Sequence, residues 1–104
     1  MKKTDVIALK KRQDENENFI LLDVREHHEI ALASIVPHIH IPLAAIQIRH
    51  NELNKKTPIV VMCHTGVRSA QACHYLQQQG YDATNLEGGI EAWSQRVDPN
   101  VPRY

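Results

Sequence analysis

Cys63 has the sequence surroundings of a cysteine nucleophile. It directly follows the apolar run 59–62, and a helical pattern begins a few residues later, which predicts a tight turn between a buried strand and a helix. Backbone N–H groups in such a turn, with a helix dipole behind them, stabilise negative charge and lower the pKa of a thiol. The sequence therefore predicts a thiolate at Cys63, against the alternative of a buried structural cysteine.

The residues that follow Cys63 supply groups that could assist a thiolate. Gly66 lets backbone N–H groups converge on the sulfur because it has no Cβ atom, although an ordinary turn glycine would look the same. The hydroxyl group of Ser69 could cap the helix or donate a hydrogen bond to the sulfur. His64 could add positive charge when protonated, which would make its effect depend on pH, or could be a solvent-facing loop residue.

Charged residues follow the other long apolar run, residues 19–24. Asp23 could orient neighbouring loops as a hydrogen-bond acceptor or act as a general base, and the structural role is the more usual one. Arg25 and Glu26 come next, at the strand end where open α/β sheets carry their ligand sites. Arg68 could bind an anion or pair with Asp23 or Glu26.

The second cysteine and the histidines indicate neither a disulfide nor a metal site. Cys73 falls on the apolar stripe of the helix after the turn, so it is predicted to be a structural core residue. A bridge between Cys63 and Cys73 would have to cross a turn and half a helix. The seven histidines do not show the spacing of a closed four-ligand site. We therefore expect no metal and no cofactor.

Strands that alternate with helices are predicted to position these residues. Strands are expected at residues 19–24, 39–41, 59–62 and 81–86, and helices at 5–12, 26–33, 43–52, 68–79 and 90–93. A strand within residues 1–3 would be minimal or absent, and Thr4 is expected to cap the first helix. Ile30, Leu32 and Ile48 are expected to face inward. The alternation predicts an α/β three-layer fold, with a mostly parallel four- or five-stranded sheet and helices on both faces.

The length and charge of the chain limit its functional class. The 104 residues are expected to form one domain, 1–104, in which residues 96–104 are a surface tail. Twelve basic residues balance twelve acidic ones, so no broad basic face for nucleic acid is expected. No apolar run approaches membrane-spanning length, and no membrane partner is expected. Two cysteines and no signal-like segment favour a reducing cytoplasm as the location.

Three blocks of the sequence together resemble rhodanese-like domains. The first block consists of Asp-Val-Arg-Glu at 23–26, Glu-Ile at 29–30 and Ile-His-Ile-Pro-Leu at 39–43. The second is Cys-His-Thr-Gly-Val-Arg-Ser-Ala at 63–70, and the third is Leu-Glu-Gly-Gly-Ile-Glu-Ala-Trp at 86–93. The resemblance implies a sulfurtransferase that moves a sulfane sulfur from thiosulfate or a persulfide, through a Cys63 persulfide, to cyanide or a cellular thiol. It implies an active-site loop formed by His64, Thr65, Gly66, Val67, Arg68 and Ser69, supported by Asp23, Arg25 and Glu26.

The length of the loop separates sulfur transfer from phosphoryl transfer. Four residues lie between Cys63 and Arg68, whereas cysteine phosphatases, which share this general layout, need a longer loop to wrap a phosphate. A small phosphatase or arsenate-reductase-like enzyme is therefore disfavoured. A sulfur-relay module loaded by a partner protein stays open as the alternative. His64 stands where the family often has a permanently charged arginine, which leaves the identity of the donor open. An inactive interaction domain is disfavoured by the retained cysteine.

Overall fold

The computed structural model, which describes residues 2–104, contains one parallel sheet of five strands with helices on both faces. The strands are β1 (Lys3–Thr4), β2 (Ile20–Asp23), β3 (Ile39–His40), β4 (Ile59–Met62) and β5 (Ala83–Leu86). Their order across the sheet is β1-β5-β4-β2-β3, and every neighbouring pair is parallel. The predicted α/β class is confirmed. The fifth strand exists because the two residues of β1 pair with Asn85 and Leu86 of β5.

Residues 2–104 contain five α-helices, of which the first four lie between strands and the last follows β5. They are α1 (Val6–Asp14), α2 (His27–Leu32), α3 (Ile46–Arg49), α4 (Val67–Gln78) and α5 (Gly89–Arg96). Short 3₁₀ turns, Leu43–Ala45 and His50–Glu52, flank α3, so the helical pattern over residues 43–52 corresponds to three short pieces. No helix within residues 2–104 is long and apolar enough to cross a membrane.

One expected detail of each of three helices, α1, α2 and α3, was wrong. Asp5, not Thr4, caps α1, because the Asp5 carboxylate accepts a hydrogen bond from the Ala8 N–H group at 2.8 Å. In α2, Leu32 is 55% exposed, whereas Glu29 faces inward and is 7% exposed. The charged residue takes the buried position because its carboxylate finds charged and hydrogen-bonding partners there. Ile48 of α3 also faces solvent and not the core.

The sheet separates two apolar layers, and β4 contributes to both. Val61 lies in one layer, whereas Val60 and Met62 lie in the other, as the two-residue period of a strand requires. The first layer includes Leu22 of β2 and Leu76 of α4, and the second includes residues of α1 and α5. Burial of both faces explains why β4 is a continuous apolar run.

The register of the strands brings three loops together at one edge of the sheet. Asp23, the last residue of β2, is paired with Met62, the last residue of β4. Cys63 therefore begins the loop after β4 directly beside the loop after β2. On the other side, β5 is paired with β4 through Asn85 and Val61. The carboxyl ends of β2, β4 and β5 thus surround Cys63, which is where parallel sheets place ligand sites.

Candidate active site

The sulfur of Cys63 lies inside a turn whose polar hydrogens point toward it. The residue is 1% exposed. Its Sγ atom accepts a hydrogen bond from the Gly66 N–H group at 3.1 Å and lies 3.3 Å from the hydroxyl oxygen of Ser69. Burial alone would raise the pKa of Cys63. The hydrogen bonds from the Ser69 hydroxyl and from the N–H groups of Ser69, Gly66 and Thr65 outweigh burial and hold the pKa below its usual range.

Gly66 shapes the turn and begins the helix behind the sulfur. It has a left-handed φ of 111° and is the N-cap residue of α4, so its N–H group can reach back to Cys63. The side-chain amide of Asn85, on β5, donates a hydrogen bond to the Gly66 carbonyl at 3.2 Å. The positive end of the α4 dipole therefore faces the thiolate, and a neighbouring strand fixes the turn that places it there.

A second helix holds the same turn from the opposite side. At the N-terminus of α5, the Ile90 N–H group donates to the Cys63 carbonyl and the Glu91 N–H group donates to the His64 carbonyl, both at 3.0 Å. Gly89 makes this approach possible. A Cβ atom at Gly89, whose φ is 54°, would lie 2.5 Å from both carbonyl oxygens. The Gly-Gly pair of the third sequence block therefore serves the close packing of α5 on the cysteine turn.

A buried ion pair supports the neighbouring loop. Asp23 and Arg25 are both fully buried, and the Nε and Nη2 groups of Arg25 donate to the Asp23 carboxylate at 2.8–3.1 Å. The remaining Arg25 donors reach the Ala33 carbonyl at 2.8 Å, the Glu29 carbonyl at 3.4 Å and the Tyr104 hydroxyl at 2.8 Å. Burial opposes the charge of Arg25, but its hydrogen bonds to Asp23 and Tyr104 leave the pKa above its usual value. In this structure Asp23 orients Arg25, and the pair fixes the loop.

Glu29 links this loop to the start of α4. The two Nη groups of Arg68 donate to the two oxygens of the Glu29 carboxylate at 2.6 and 2.8 Å. The Glu26 N–H group and the Tyr104 hydroxyl also donate to that carboxylate. Arg68 above all holds the pKa of Glu29 far below its usual range, although burial opposes this shift. The expected partners of Arg68, Asp23 and Glu26, were wrong because the inward turn of Glu29 places its carboxylate nearer.

Tyr104 reaches the site from the tail. Its ring stacks on the His64 imidazole, with centroids 4.0 Å apart and planes 12° from parallel. The tail is held by an ion pair between Arg103 and Glu91 at 2.7 Å and by the packing of Val101 against the second apolar layer. The tail thus contributes to the site.

The structure brings only part of the predicted loop into contact with the sulfur. Gly66, Ser69 and the N–H group of Thr65 surround the Sγ atom. Val67 is 67% exposed, and Glu26 is also exposed and takes part through its N–H group only. Sequence reasoning assigned no role in the site to Glu29, Asn85 or Tyr104. Each of them bridges parts of the chain that are distant in sequence: Glu29 pairs with Arg68, Asn85 holds Gly66, and Tyr104 contacts Arg25.

In the described part of the chain, the residues around the Cys63 sulfur suit a reactive thiolate and do not form a metal-binding site. Within residues 2–104, no three His, Cys, Asp or Glu side chains are grouped closely enough to hold a metal ion. Cys63 and Cys73 are both free thiols. A buried thiolate inside a ring of N–H donors can attack a soft electrophile and can hold the negative charge that remains on the sulfur.

Comparisons with known proteins find chains of similar sequence and fold. A family model, the rhodanese-like domain, matches residues 5–96. A sulfurtransferase from Allochromatium vinosum is 41% identical over 93% of this chain and 92% of its own length. A putative sulfur carrier protein, YrkF of Bacillus subtilis, is 36% identical over 88% of this chain and 50% of its own. The crystal structure of a rhodanese-like domain protein from Staphylococcus aureus has a TM-score of 0.88 at 34% identity, covering 100% of this chain and 99% of that one.

Proposed function

Because the chain belongs to the rhodanese-like domain family, we propose that it is a sulfurtransferase in which Cys63 carries a sulfane sulfur from a small donor to a thiophilic acceptor. The donor is thiosulfate or a persulfide, and the acceptor is cyanide or a cellular thiol. The observation that carries the proposal is the convergence of the Gly66 N–H group and the Ser69 hydroxyl on the buried Cys63 sulfur. The reaction requires reduced Cys63, so we assign it to a reducing compartment such as the cytoplasm.

The first half-reaction loads the enzyme. The thiolate of Cys63 attacks the outer sulfur of the donor, a new S–S bond forms on Cys63, and the donor S–S bond breaks. The bonding electron pair leaves with sulfite when thiosulfate is the donor, or with a thiolate when a persulfide is the donor. The charge stays on the terminal sulfur of Cys63. The Gly66 and Thr65 N–H groups are positioned to stabilise that charge without rearrangement.

The second half-reaction returns the enzyme to its resting state. The acceptor attacks the terminal sulfur, the S–S bond to Cys63 breaks, and the electron pair stays on Cys63 as a thiolate. Cyanide would leave as thiocyanate, and a thiol would leave as a persulfide. In this cycle Ser69 donates to both anionic forms of the cysteine, while Arg68, Arg25 and Asp23 keep the surrounding loops in place.

The proposal is tested by loading the protein with sulfur and measuring the intact mass. The reduced protein is incubated with thiosulfate or with a persulfide, and a gain of one sulfur atom is expected. Subsequent cyanide should remove the added mass and release thiocyanate. Cys63→Ser should gain no sulfur, whereas Cys73→Ala should load like the wild type. A wild-type protein that gains no sulfur from any sulfane donor would overturn the proposal.

A sulfur-relay role is the second candidate, and one observation favours it. Cys63 is 1% exposed, so the resting site offers a small donor little access to the sulfur. The similarity to a putative sulfur carrier protein is in line with that role. Incubation with a cysteine desulfurase and cysteine distinguishes the two candidates. Loading by the desulfurase, together with no loading by small donors, would establish the relay.

A further inference from the structure

The fixed positive charges near Cys63 are already occupied. Arg25 uses its guanidinium donors on Asp23, on two main-chain carbonyls and on the Tyr104 hydroxyl. Arg68 uses both Nη groups on the Glu29 carboxylate. Each arginine is thus matched with one carboxylate. The thiolate of Cys63 leaves the neighbourhood with a net negative charge when His64 is neutral, which disfavours a doubly charged donor.

Tyr104 covers the two groups that an incoming oxyanion could otherwise reach. Its hydroxyl accepts the hydrogen bond from Nη1 of Arg25 at 2.8 Å. Its ring covers one face of the His64 imidazole at 4.0 Å. Without Tyr104, Arg25 Nη1 would keep only its 3.4 Å hydrogen bond to the Glu29 carbonyl, and one face of the His64 ring would be uncovered. Both groups could then contact an oxygen of a sulfonate-type donor, while the Glu29 carboxylate would keep its two hydrogen bonds from Arg68. Tyr104 therefore covers both the permanently charged Arg25 guanidinium and the His64 ring, which is positive only when it is protonated.

The location of Tyr104 suits such a selective role because the residue is held firmly but not buried. It is 38% exposed, and its hydroxyl forms hydrogen bonds to both Arg25 and Glu29. Burial, with the Glu29 carboxylate adding to it, raises the pKa of Tyr104 above its usual value despite Arg25, so the phenol stays neutral at physiological pH. The uncharged Tyr104 hydroxyl therefore occupies the hydrogen-bonding position on Arg25 that an anion could otherwise take.

We propose that Tyr104 is a specificity-determining residue of the sulfur-transfer site, which disfavours oxyanionic donors such as thiosulfate and favours donors that carry the sulfane sulfur on a thiol. The inference rests on the proposed function and names the donor class for the same site. Thiosulfate brings two negative charges and releases sulfite, which also carries two. A persulfide of an uncharged thiol brings one negative charge, transfers its terminal sulfur to Cys63 and leaves with the electron pair as a thiolate.

The test compares thiosulfate with mercaptoethanol persulfide, whose carrier group is uncharged, in the wild type and in Tyr104→Ala. We expect the wild type to prefer the persulfide in kcat/KM. In Tyr104→Ala, kcat/KM for thiosulfate should rise about tenfold, mainly through a lower KM, as one gained charge-assisted hydrogen bond allows. The value for the persulfide should change by less than about twofold. Tyr104→Phe keeps the ring on His64 and should gain much less than Tyr104→Ala.

Sulfate provides a readout that does not depend on catalysis. At matched ionic strength, sulfate should raise the Tm of Tyr104→Ala more than that of the wild type. It should also inhibit the variant competitively with the donor. An unchanged donor ratio would overturn the proposal, whether both kcat/KM values change by the same factor, as for a purely structural role of Tyr104, or neither changes. If neither donor loads Cys63 in either protein, the proposed function fails, and the sulfate comparison still decides the role of Tyr104.

The Arg103–Glu91 ion pair holds the C-terminal tail, so its removal weakens the position of Tyr104 without changing that residue. Arg103→Ala removes this contact without changing Tyr104, so the donor ratio should shift toward thiosulfate in the same direction but to a smaller extent. Arg49→Ala is the matched control, because Arg49 forms a comparable exposed pair with Glu52 elsewhere on the surface. The control should keep the wild-type donor ratio, and a shift in the control as large as in Arg103→Ala would overturn the role of the tail.

Discussion

The two cysteines are equally buried and chemically opposite. Cys63 is 1% exposed and Cys73 is 0% exposed, and both belong to the same apolar layer. Burial dominates at Cys73 and raises the pKa of its thiol. At Cys63, the donors contributed by Ser69, Gly66 and Thr65 reverse the effect of burial and lower the pKa. Burial by itself thus leaves a thiol unreactive, whereas the same degree of burial inside a ring of hydrogen-bond donors produces a nucleophile.

The largest effect is expected when a side chain is added at Gly89, where α5 packs closely on the cysteine turn. Gly89→Ala adds a Cβ atom 2.5 Å from the carbonyl oxygens of Cys63 and His64, at a φ of 54°. We expect a loss of about 3 kcal/mol in the free energy of unfolding and sulfur loading at least about tenfold slower, measured by denaturant unfolding and intact mass. Gly80→Ala also has a left-handed φ but meets only the Lys55 Nζ atom at 3.8 Å. It should lose about 1 kcal/mol and keep its loading rate.

The second test removes the charge that joins the α2 loop to the start of α4. Glu29→Gln should lose about 2 kcal/mol of unfolding free energy at neutral pH, since it breaks a partly buried bidentate ion pair with Arg68. The folded-state pKa of Glu29 is lowered, so the stabilisation from its ionised carboxylate is complete above the unfolded-state pKa. That stabilisation is lost progressively as the pH falls from the unfolded-state pKa through the folded-state pKa. The difference from the wild type should therefore narrow in acid. Glu52→Gln, at an exposed pair, should be neutral, and equal losses in the two variants would contradict the prediction.

The third test changes the donor ring itself. Ser69→Ala removes the hydroxyl hydrogen bond to Cys63, so the pKa of Cys63 should rise and loading at neutral pH should slow about fivefold. In the wild type, the loading rate should increase with pH through a lowered pKa and level off below the range of an ordinary thiol. The Ser69→Ala profile should move to higher pH. Thiolate absorbance in the ultraviolet, measured in Cys73→Ala, checks the shift directly, and superimposed profiles would count against the donor role of Ser69.

The smallest effect is expected from a substitution of Cys73. Cys73→Ala removes one sulfur atom from a closely packed layer and should cost about 1 kcal/mol of unfolding free energy. Sulfur loading and the pH profile should stay as in the wild type. A changed profile would show that Cys73 is electrostatically coupled to Cys63 and that the two positions are less independent than their surroundings indicate.

Local patterns were sufficient to predict the parallel sheet, the bounds of β4 and the cysteine turn, whereas β2, β3 and β5 were predicted one or two residues too long. The apolar run before Cys63 and the glycine after it depend on neighbours in sequence, which is why the turn and its lowered thiol pKa could be expected. The inward face of α2, which follows β2, could not be predicted from local patterns. Helical periodicity favoured Ile30 and Leu32 as the inward residues of α2, but Leu32 is exposed and Glu29 turns inward to pair with Arg68. Arg68 lies 39 residues away in sequence, so the local pattern could not indicate this pair.

The contacts of the tail could not be predicted for the same physical reason. Tyr104 is separated from Arg25 by 79 residues, and nothing in the pattern of residues 96–104 indicates an aromatic contact with His64. Polar and aromatic contacts of this kind depend on where the finished fold brings chain segments together. Apolar periodicity predicts which face of an element is covered, but it carries no information about which charged group will meet which partner.

The contact of α5 with the cysteine turn has a consequence for the direction of each peptide group in that turn. A trans peptide is planar, and its C=O and N–H bonds point in opposite directions. When Ile90 and Glu91 draw the carbonyls of Cys63 and His64 to one side, the N–H groups of the same two peptides must face the other side. The Thr65 N–H group is thereby turned toward the sulfur. Local opening of α5 would therefore rotate these dipoles and lower the reactivity of Cys63 while the sheet is still intact.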